Sequence, residues 1–181
     1  MSNSIRTVYP LFASEAMSAS PTSALCLCLD GIDIKTARLL NALWHSRLPR
    51  LGNDVSLRAA LCFGAEFDGR YYAAAVWTHP IARALPQDSL LELRRLAIAP
   101  DAPKNTASRT LAIMARLIRK ARPEITTLVS YQDTEVHTGG IYKAAGWTAT
   151  AMNPNGEWDR PNRARQAAQS AALKQRWEKA L

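Results

Sequence analysis

The sequence predicts an α/β fold: a central mixed β-sheet flanked by helices, with a basic C-terminal helical tail. Three observations carry this. Two strand-like runs, residues 57–67 and 70–77, are joined by Asp68-Gly69, a dipeptide that accepts the positive φ angles of a tight hairpin turn. A third strand-like run, 90–99, leads through Pro100-Asp101-Ala102-Pro103 into an amphipathic helix over 108–121 and then a β-rich run over 125–131. That order of strand, helix and strand is a crossover within a mixed sheet. The last stretch, 159–181, is rich in Ala, Gln, Lys and Arg, the composition of a basic helix lying on the domain or reaching for a partner. Residues 1–22 mix Ser, Ala and Pro without a period and are expected to be loosely attached, which leaves 23–158 as the folded domain.

Each element has a local reason. Asp33 is a natural N-cap for a helix over 34–45, in which Ala37, Leu40 and Trp44 share a face bordered by Arg38 and Asn41; Pro49 lies beyond its end. Within 90–99, Leu91 and Leu93 have one parity and Leu96 and Ile98 the other, with Arg94 and Arg95 between them. A β-bulge produces such a change of phase, and so does a strand buried on both faces. In the helix over 108–121, Leu111, Ala115 and Ile118 form the apolar stripe while Arg109, Arg116 and Lys120 line another face, and Pro123 ends it. A short helix over 140–145 is closed by Gly146, the residue type that best accepts a left-handed C-cap.

Composition narrows the class. A chain of 181 residues that is 48% apolar can fill one core, and no stretch approaches the roughly 20 apolar residues of a membrane helix. The polar start, with Ser2, Asn3, Ser4 and Arg6, lacks the layout of a signal peptide. A soluble, cytoplasmic protein is expected. The three cysteines, Cys26, Cys28 and Cys62, lack the paired spacing of a zinc site; reduced, buried thiols and no metal are expected. A net charge of +8 and a pI near 9.8 favour a polyanionic partner, nucleic acid first and CoA-type phosphates second.

The run Leu93-Arg-Arg-Leu-Ala-Ile-Ala-Pro-Asp101, the loop into a long helix, and Tyr142-Lys-Ala-Ala-Gly-Trp147 together resemble the GNAT superfamily of acyltransferases. That resemblance implies a GNAT-like central sheet whose bulged strand splays from its neighbour, opening a cleft for donor and acceptor. The superfamily usually carries a glycine-rich loop before the helix, where backbone N–H groups cradle the CoA pyrophosphate. Here the loop is Pro103-Lys-Asn-Thr-Ala-Ser-Arg109 and holds no glycine. Side chains restrict the approach of backbone to phosphate, so Lys104, Asn105, Ser108 and Arg109 become the candidate donor or anion ligands.

Trp44-His45-Ser46-Arg47 with Pro49, the loop 99–109, and Val129-Ser-Tyr-Gln-Asp133 followed by His137-Thr-Gly-Gly-Ile-Tyr142 resemble the Mom family of phage DNA-modification proteins. Those are GNAT-like enzymes that convert DNA adenine to an N6-carbamoylmethyl form and so protect phage DNA from restriction. The resemblance implies double-stranded DNA as partner, acetyl-CoA or another acyl or aminoacyl donor as co-substrate, and His45, Asp133 and Tyr142 as catalytic residues. In that family a tyrosine follows the histidine, whereas Ser46 does so here.

The chemistry asks for specific groups. Attack by a conjugated exocyclic amine needs a base for its proton, and Asp133 or His45 can serve. Asp133 can equally cap the turn after its strand, and His45, at a helix C-terminus whose dipole favours the cation, can bind phosphate or simply pack. Tyr142 can donate a proton to the leaving group or pack against Trp147. His79 and His137 lack the local spacing to join Asp133 in a metal site. An extruded adenine needs aromatic or apolar walls, for which Tyr71, Tyr72, Trp77 and Tyr131 are candidates. Arg47, Arg50, Arg94, Arg95, Arg160, Arg163 and Arg165 are the expected phosphate contacts. Two other readings stand beside this one: a CoA-dependent N-acetyltransferase acting on a small amine or peptide, and a degenerate GNAT fold that only binds DNA. No membrane role is expected, and the sequence leaves open whether the chain forms a homodimer.

Overall fold

The computed structural model describes residues 19–45, 47–51, 57, 59–153 and 173–181. After a single 3-10 turn, Ala24–Cys26, the elements follow as β1 (Cys28–Gly31), α1 (Ile34–Trp44), β2 (Leu61–Phe67), β3 (Arg70–Thr78), β4 (Leu90–Ile98), α2 (Thr106–Ala121), β5 (Thr127–Asp133), α3 (Gly140–Ala144), β6 (Thr148–Asn153) and β7 (Lys174–Ala180). The seven strands form one sheet in the order β1-β2-β3-β4-β5-β7-β6. Every neighbouring pair is antiparallel except β4 and β5, which are joined through α2 and run parallel.

Local chemistry sets the boundaries. Asp33 caps α1, its Oδ1 accepting from the backbone N–H groups of Lys35 at 2.7 Å and Thr36 at 2.9 Å, and this satisfies two donors the helix start leaves orphaned. Asp68 and Gly69 take positive φ of 51° and 78° in the turn from β2 to β3, the geometry that matches strand twist in a two-residue hairpin. Gly146, at φ 71°, ends α3.

The two faces of the sheet are covered differently. On one, α2 packs over Ala75, Trp77, Leu91 and Leu93, and the core is completed by Leu111, Met114, Ile118, Leu128, Tyr142, Trp147 and Trp177. On the other, α1 lies over β2, β3 and β4, with Ala37 packed against Cys62 and Val76. Burial pushes the Cys62 thiol up to about 11. Cys26 and Cys28, expected to be buried, are exposed among the described residues, Cys26 in the 3-10 turn and Cys28 at the start of the edge strand β1.

Two expectations about strands meet the structure in opposite ways. The phase change in β4 is a bulge: Val76 pairs with Arg95 and Trp77 with Leu93, so Arg94 has no partner position in β3. Consequently Leu91 and Leu93 before it and Leu96 after it pack into one core. The basic C-terminal helix, by contrast, is corrected. Residues 174–180 form β7, inserted between β5 and β6, while 159–172 lie outside the described residues. Trp177 anchors this strand at 4% exposure, and full backbone pairing on both sides overrides the helix-favouring composition.

Candidate active site

β4 and β5 pair only from Leu90–Thr127 to Leu93–Ser130, although β4 continues to Ile98 and β5 to Asp133. Beyond Leu93 and Ser130 the strands splay. The bulge at Arg94 sits at this point and increases the local twist that separates them.

On the α2 side of the splay lies a cavity of about 240 Å³ lined by Ile98, Pro103, Asn105, Thr106, Ala107, Ser108, Gly140, Ile141 and Ala144. Asn105 takes φ 69° and ψ 7° before α2, so it supplies the left-handed residue that a glycine would otherwise provide. Asn is the side-chain-bearing residue type that tolerates this region best. The loop is held by its own hydroxyls: Thr106 Oγ1 donates to Pro103 O at 2.7 Å and Ser108 Oγ to Asn105 O at 3.1 Å. The Ser108 hydroxyl hydrogen is thereby engaged, the Thr106 N–H donates to Pro103 O at 3.2 Å, and the cavity-lining residues Ala107 and Ser108 belong to the first turn of α2, at the positive end of its dipole. Lys104 is exposed beside them. Arg109, expected as an anion ligand, does not line this cavity.

At the floor of the splay, Ser130 Oγ and Tyr142 OH are 2.8 Å apart. The Tyr142 ring stacks on Trp177 at 5.3 Å and meets Trp147 edge-on at 5.7 Å, and burial, opposed by the Ser130 hydrogen bond, raises its phenol pKa above the ordinary value. Trp177 Nε1 donates to Gln132 Oε1 at 2.7 Å, and Gln132 Nε2 donates to the His137 carbonyl, so the turn that follows β5 is tied to the same aromatic stack.

The opposite face is polar. Glu92 is paired across β3 with Thr78 and so points away from Trp77 and Leu93. It is 7% exposed, accepts from the Ile81 N–H at 3.1 Å, and has Arg94 Nε 3.9 Å away. Burial raises its carboxyl above the usual range, outweighing the Ile81 hydrogen bond and the charges of Arg94, Arg95 and Arg176. Tyr131, Asp133, Lys174, Arg176 and Glu178 share this face through the β5–β7 register. Lys174 Nζ donates to Asp133 Oδ2 at 2.9 Å, and Arg176 Nε lies 2.7 Å from Glu178 Oε1. Among the described helices α1 is the one on this side, and it covers β2 to β4, leaving this side of β5 and β7 uncovered among the described residues.

His45 is the C-cap of α1. Its Nδ1 accepts from the Leu48 N–H at 3.2 Å, and Asn41, 1% exposed, fixes the same loop by donating from Nδ2 to Leu48 O and Pro49 O, both at 2.9 Å. Burial first, then the charges of Arg95 and His137, lower the imidazole pKa. The ring is therefore neutral near pH 7 rather than held cationic by the helix end, and with Nδ1 accepting, its proton is on Nε2.

A family model described as the Mom protein family matches residues 56–180, more than half of the chain. The chain belongs to the Mom family. Curated protein sequences yield no match. Among solved structures, the chain is similar to a Bacillus subtilis acetyltransferase in complex with CoA (13% identity, TM-score 0.61, 86% of this chain and 99% of that one). It is also similar to a GNAT-family acetyltransferase from Streptococcus pneumoniae (13%, 0.57, 86% and 99%) and to one from Elizabethkingia anophelis with acetyl-CoA bound (13%, 0.54, 86% and 99%). The fold of this Mom-family chain is thus the GNAT fold.

Within it, the residues expected from sequence are sorted by position. Tyr142 lies at the splay, and His45 stands at the end of α1 under the influence of Arg95 and His137. Asp133 holds the turn after β5, accepting from the Glu135 N–H at 3.1 Å as well as from Lys174, so both its oxygens are engaged in fixing structure. Arg94 and Arg95 lie at the bulge beside Glu92, Arg47 and Arg50 are exposed on the loop after α1, and Arg160, Arg163 and Arg165 lie outside the described residues. His79 Nδ1 is 2.6 Å from the Gln87 carbonyl, away from Asp133, and no group of three or more His, Cys, Asp or Glu gathers to hold a metal among the described residues. No helix among them is long and apolar enough to cross a membrane. Sequence reasoning missed Glu92 and Arg176. The signal for Glu92 was a lone carboxylate at an interior position of an apolar strand; Arg176 was hidden by the helical reading of the tail.

Proposed function

We propose that this protein is a GNAT-type transferase that modifies the N6 amine of adenine in double-stranded DNA, in the manner of the Mom family. The observation that carries this is the division of the splay, with a cavity at the α2 N-terminus on one side and a buried carboxylate, Glu92, on a charged face of paired acids and bases on the other. A diphosphate-bearing donor suits the first side: the left-handed Asn105 restores the turn, and the N-terminus of α2, with exposed Lys104 in the preceding loop, suits a phosphate pair. Such a donor, of the CoA kind, would supply the electrophilic carbon.

This chain's own residues do the rest. The positive surface, including Arg47 and Arg50, holds the DNA backbone. Glu92 accepts the proton that leaves the adenine amine as its nitrogen bonds to the donor carbon, and its raised pKa makes it a stronger base than an ordinary carboxylate. Tyr142, oriented by Ser130, gives the phenolic proton to the departing group. His45 offers Nε2–H as a hydrogen-bond donor rather than serving as the base. Protection of phage DNA from restriction would follow from the altered adenine.

The test is mass spectrometry of nucleosides digested from DNA of cells expressing the full chain: a mass-shifted deoxyadenosine is expected, and unmodified nucleosides beside folded, soluble protein would sink the proposal. A second reading, a CoA-dependent N-acetyltransferase acting on a small amine or peptide, is favoured by the same left-handed Asn105, which keeps the donor turn in shape without glycine. DNA-independent turnover of acetyl-CoA would select it.

A further inference from the structure

Among the described aromatic residues, Trp44, Phe63 and Phe67 are half-buried against the core clusters. Tyr72, Trp77, Tyr142, Trp147 and Trp177 are all buried in the core, Trp77 at 0% and Tyr72 at 1%. Tyr71 is half-buried on the β2 side, its ring against Gly64, far from the splay. Tyr131 differs. It is the first residue of β5 beyond the last pair with β4, it is half-buried, and it belongs to the charged face.

Its surroundings are those of a flat ligand's subsite. Arg176 stands directly opposite it in β7, where facing side chains have Cβ atoms about 4.5–5.5 Å apart. The guanidinium Nε lies 2.7 Å from Glu178 Oε1 in an ion pair, so its charge is balanced while its planar fork of N–H groups remains a set of donors. Glu92 lies on the same face, and the charges of Arg176, Glu92 and Glu178 all act on the Tyr131 phenol. A ring placed on Tyr131 would therefore have a guanidinium at one edge and a buried carboxylate at another.

We propose that Tyr131 and Arg176 form the wall on which the extruded purine lies, the ring stacked on the phenol, Arg176 donating to a ring nitrogen, and the exocyclic amine turned toward Glu92. This rests on the reading of DNA adenine as acceptor. Reaching that amine requires extrusion of the base, and a stacking surface compensates the lost stacking in the duplex.

The experiment is steady-state modification of a DNA duplex by the full chain, comparing wild type with Tyr131→Ala, Tyr131→Phe and Arg176→Gln. Loss of one base–aromatic stack weakens binding roughly ten- to a hundred-fold, so Tyr131→Ala should raise KM for DNA by about that factor while KM for the donor stays within about two-fold. Tyr131→Phe should restore most of the affinity. The Tyr131→Ala defect should shrink on a duplex whose target adenine faces an abasic site, since that base is already unpaired. Should Tyr131→Ala fail to fold, Tyr131→Leu keeps an apolar side chain without the π face and carries the same expectation. An unchanged KM for DNA, or an equal loss in Tyr131→Phe and Tyr131→Ala, overturns the wall alone. A wild-type protein that leaves DNA unmodified overturns the adenine reading and the wall with it.

Discussion

The two faces of the sheet at the splay are built from opposite materials. On the α2 face, Trp77, Tyr142, Trp147 and Trp177 stack into a sealed aromatic core with one hydroxyl pair, Ser130 and Tyr142, at its rim. On the other, the same strands present Glu92, Tyr131, Asp133, Lys174, Arg176 and Glu178. The alternation of a pleated strand makes this possible, since neighbouring residues of β4, β5 and β7 serve different faces. In the proposed function the apolar side holds the donor and the charged side receives the DNA. The separation of β4 from β5 past Leu93 and Ser130 lies between them.

The largest effect should come from the polar face. Glu92→Gln keeps the shape and the acceptor for the Ile81 N–H but removes the base, and kcat should fall by about 10²–10⁴. In the wild type, kcat should rise with pH along a limb lying above the ordinary carboxylate range, because burial raises the Glu92 pKa; in the variant that limb should vanish. The stability effect has the opposite direction. A carboxyl whose folded pKa is raised stabilises the fold below its unfolded pKa and loses that contribution as pH rises through the folded value, so the neutral glutamine should melt higher than wild type near pH 7.

Next comes the apolar face. Trp177→Ala removes the ring stacked on Tyr142 and the donor to Gln132, and should cost about 3–5 kcal/mol in chemical denaturation. If it cost less than 1 kcal/mol, the aromatic stack would not be what holds β7 in place. A smaller effect is expected at the donor loop. Asn105→Ala puts a methyl side chain in left-handed backbone at a cost of about 1–2 kcal/mol and should raise KM for the donor, while Asn105→Gly should bind it at least as well as wild type. The smallest effect belongs to the exposed loop after α1: Arg50→Gln should weaken DNA binding uniformly across sequences and reduce the slope of log affinity against log salt by about one.

Much of this architecture was legible in the sequence because local signals agreed with the fold. The Asp33 cap, the Asp68-Gly69 turn, the phase change around Arg94 and Arg95 and the Gly146 C-cap each mark a backbone geometry that few other residues tolerate. What was not legible depended on partners distant in sequence. Lys174 to Ala180 alternates charged and mixed residues around one tryptophan, and only its place between β5 and β6 makes it a strand. The glycine-free loop suggested a weakened donor site, yet Asn105 recovers the left-handed turn. His45 and Asp133 were recognised by type, while their hydrogen bonds, to Leu48 in one case and to Glu135 and Lys174 in the other, depend on partners that no local motif marks. Glu92, unremarked among leucines, stands out only once its strand neighbours remove it from water.

The central claim is that donor and acceptor enter from opposite faces and meet at the splay. Hydrogen–deuterium exchange on the full chain, with CoA alone and with duplex DNA alone, tests it most directly. Two separate footprints are predicted, CoA protecting 103–109 and 140–144 and DNA protecting 131–133 and 174–178. A single shared footprint for both ligands would contradict it.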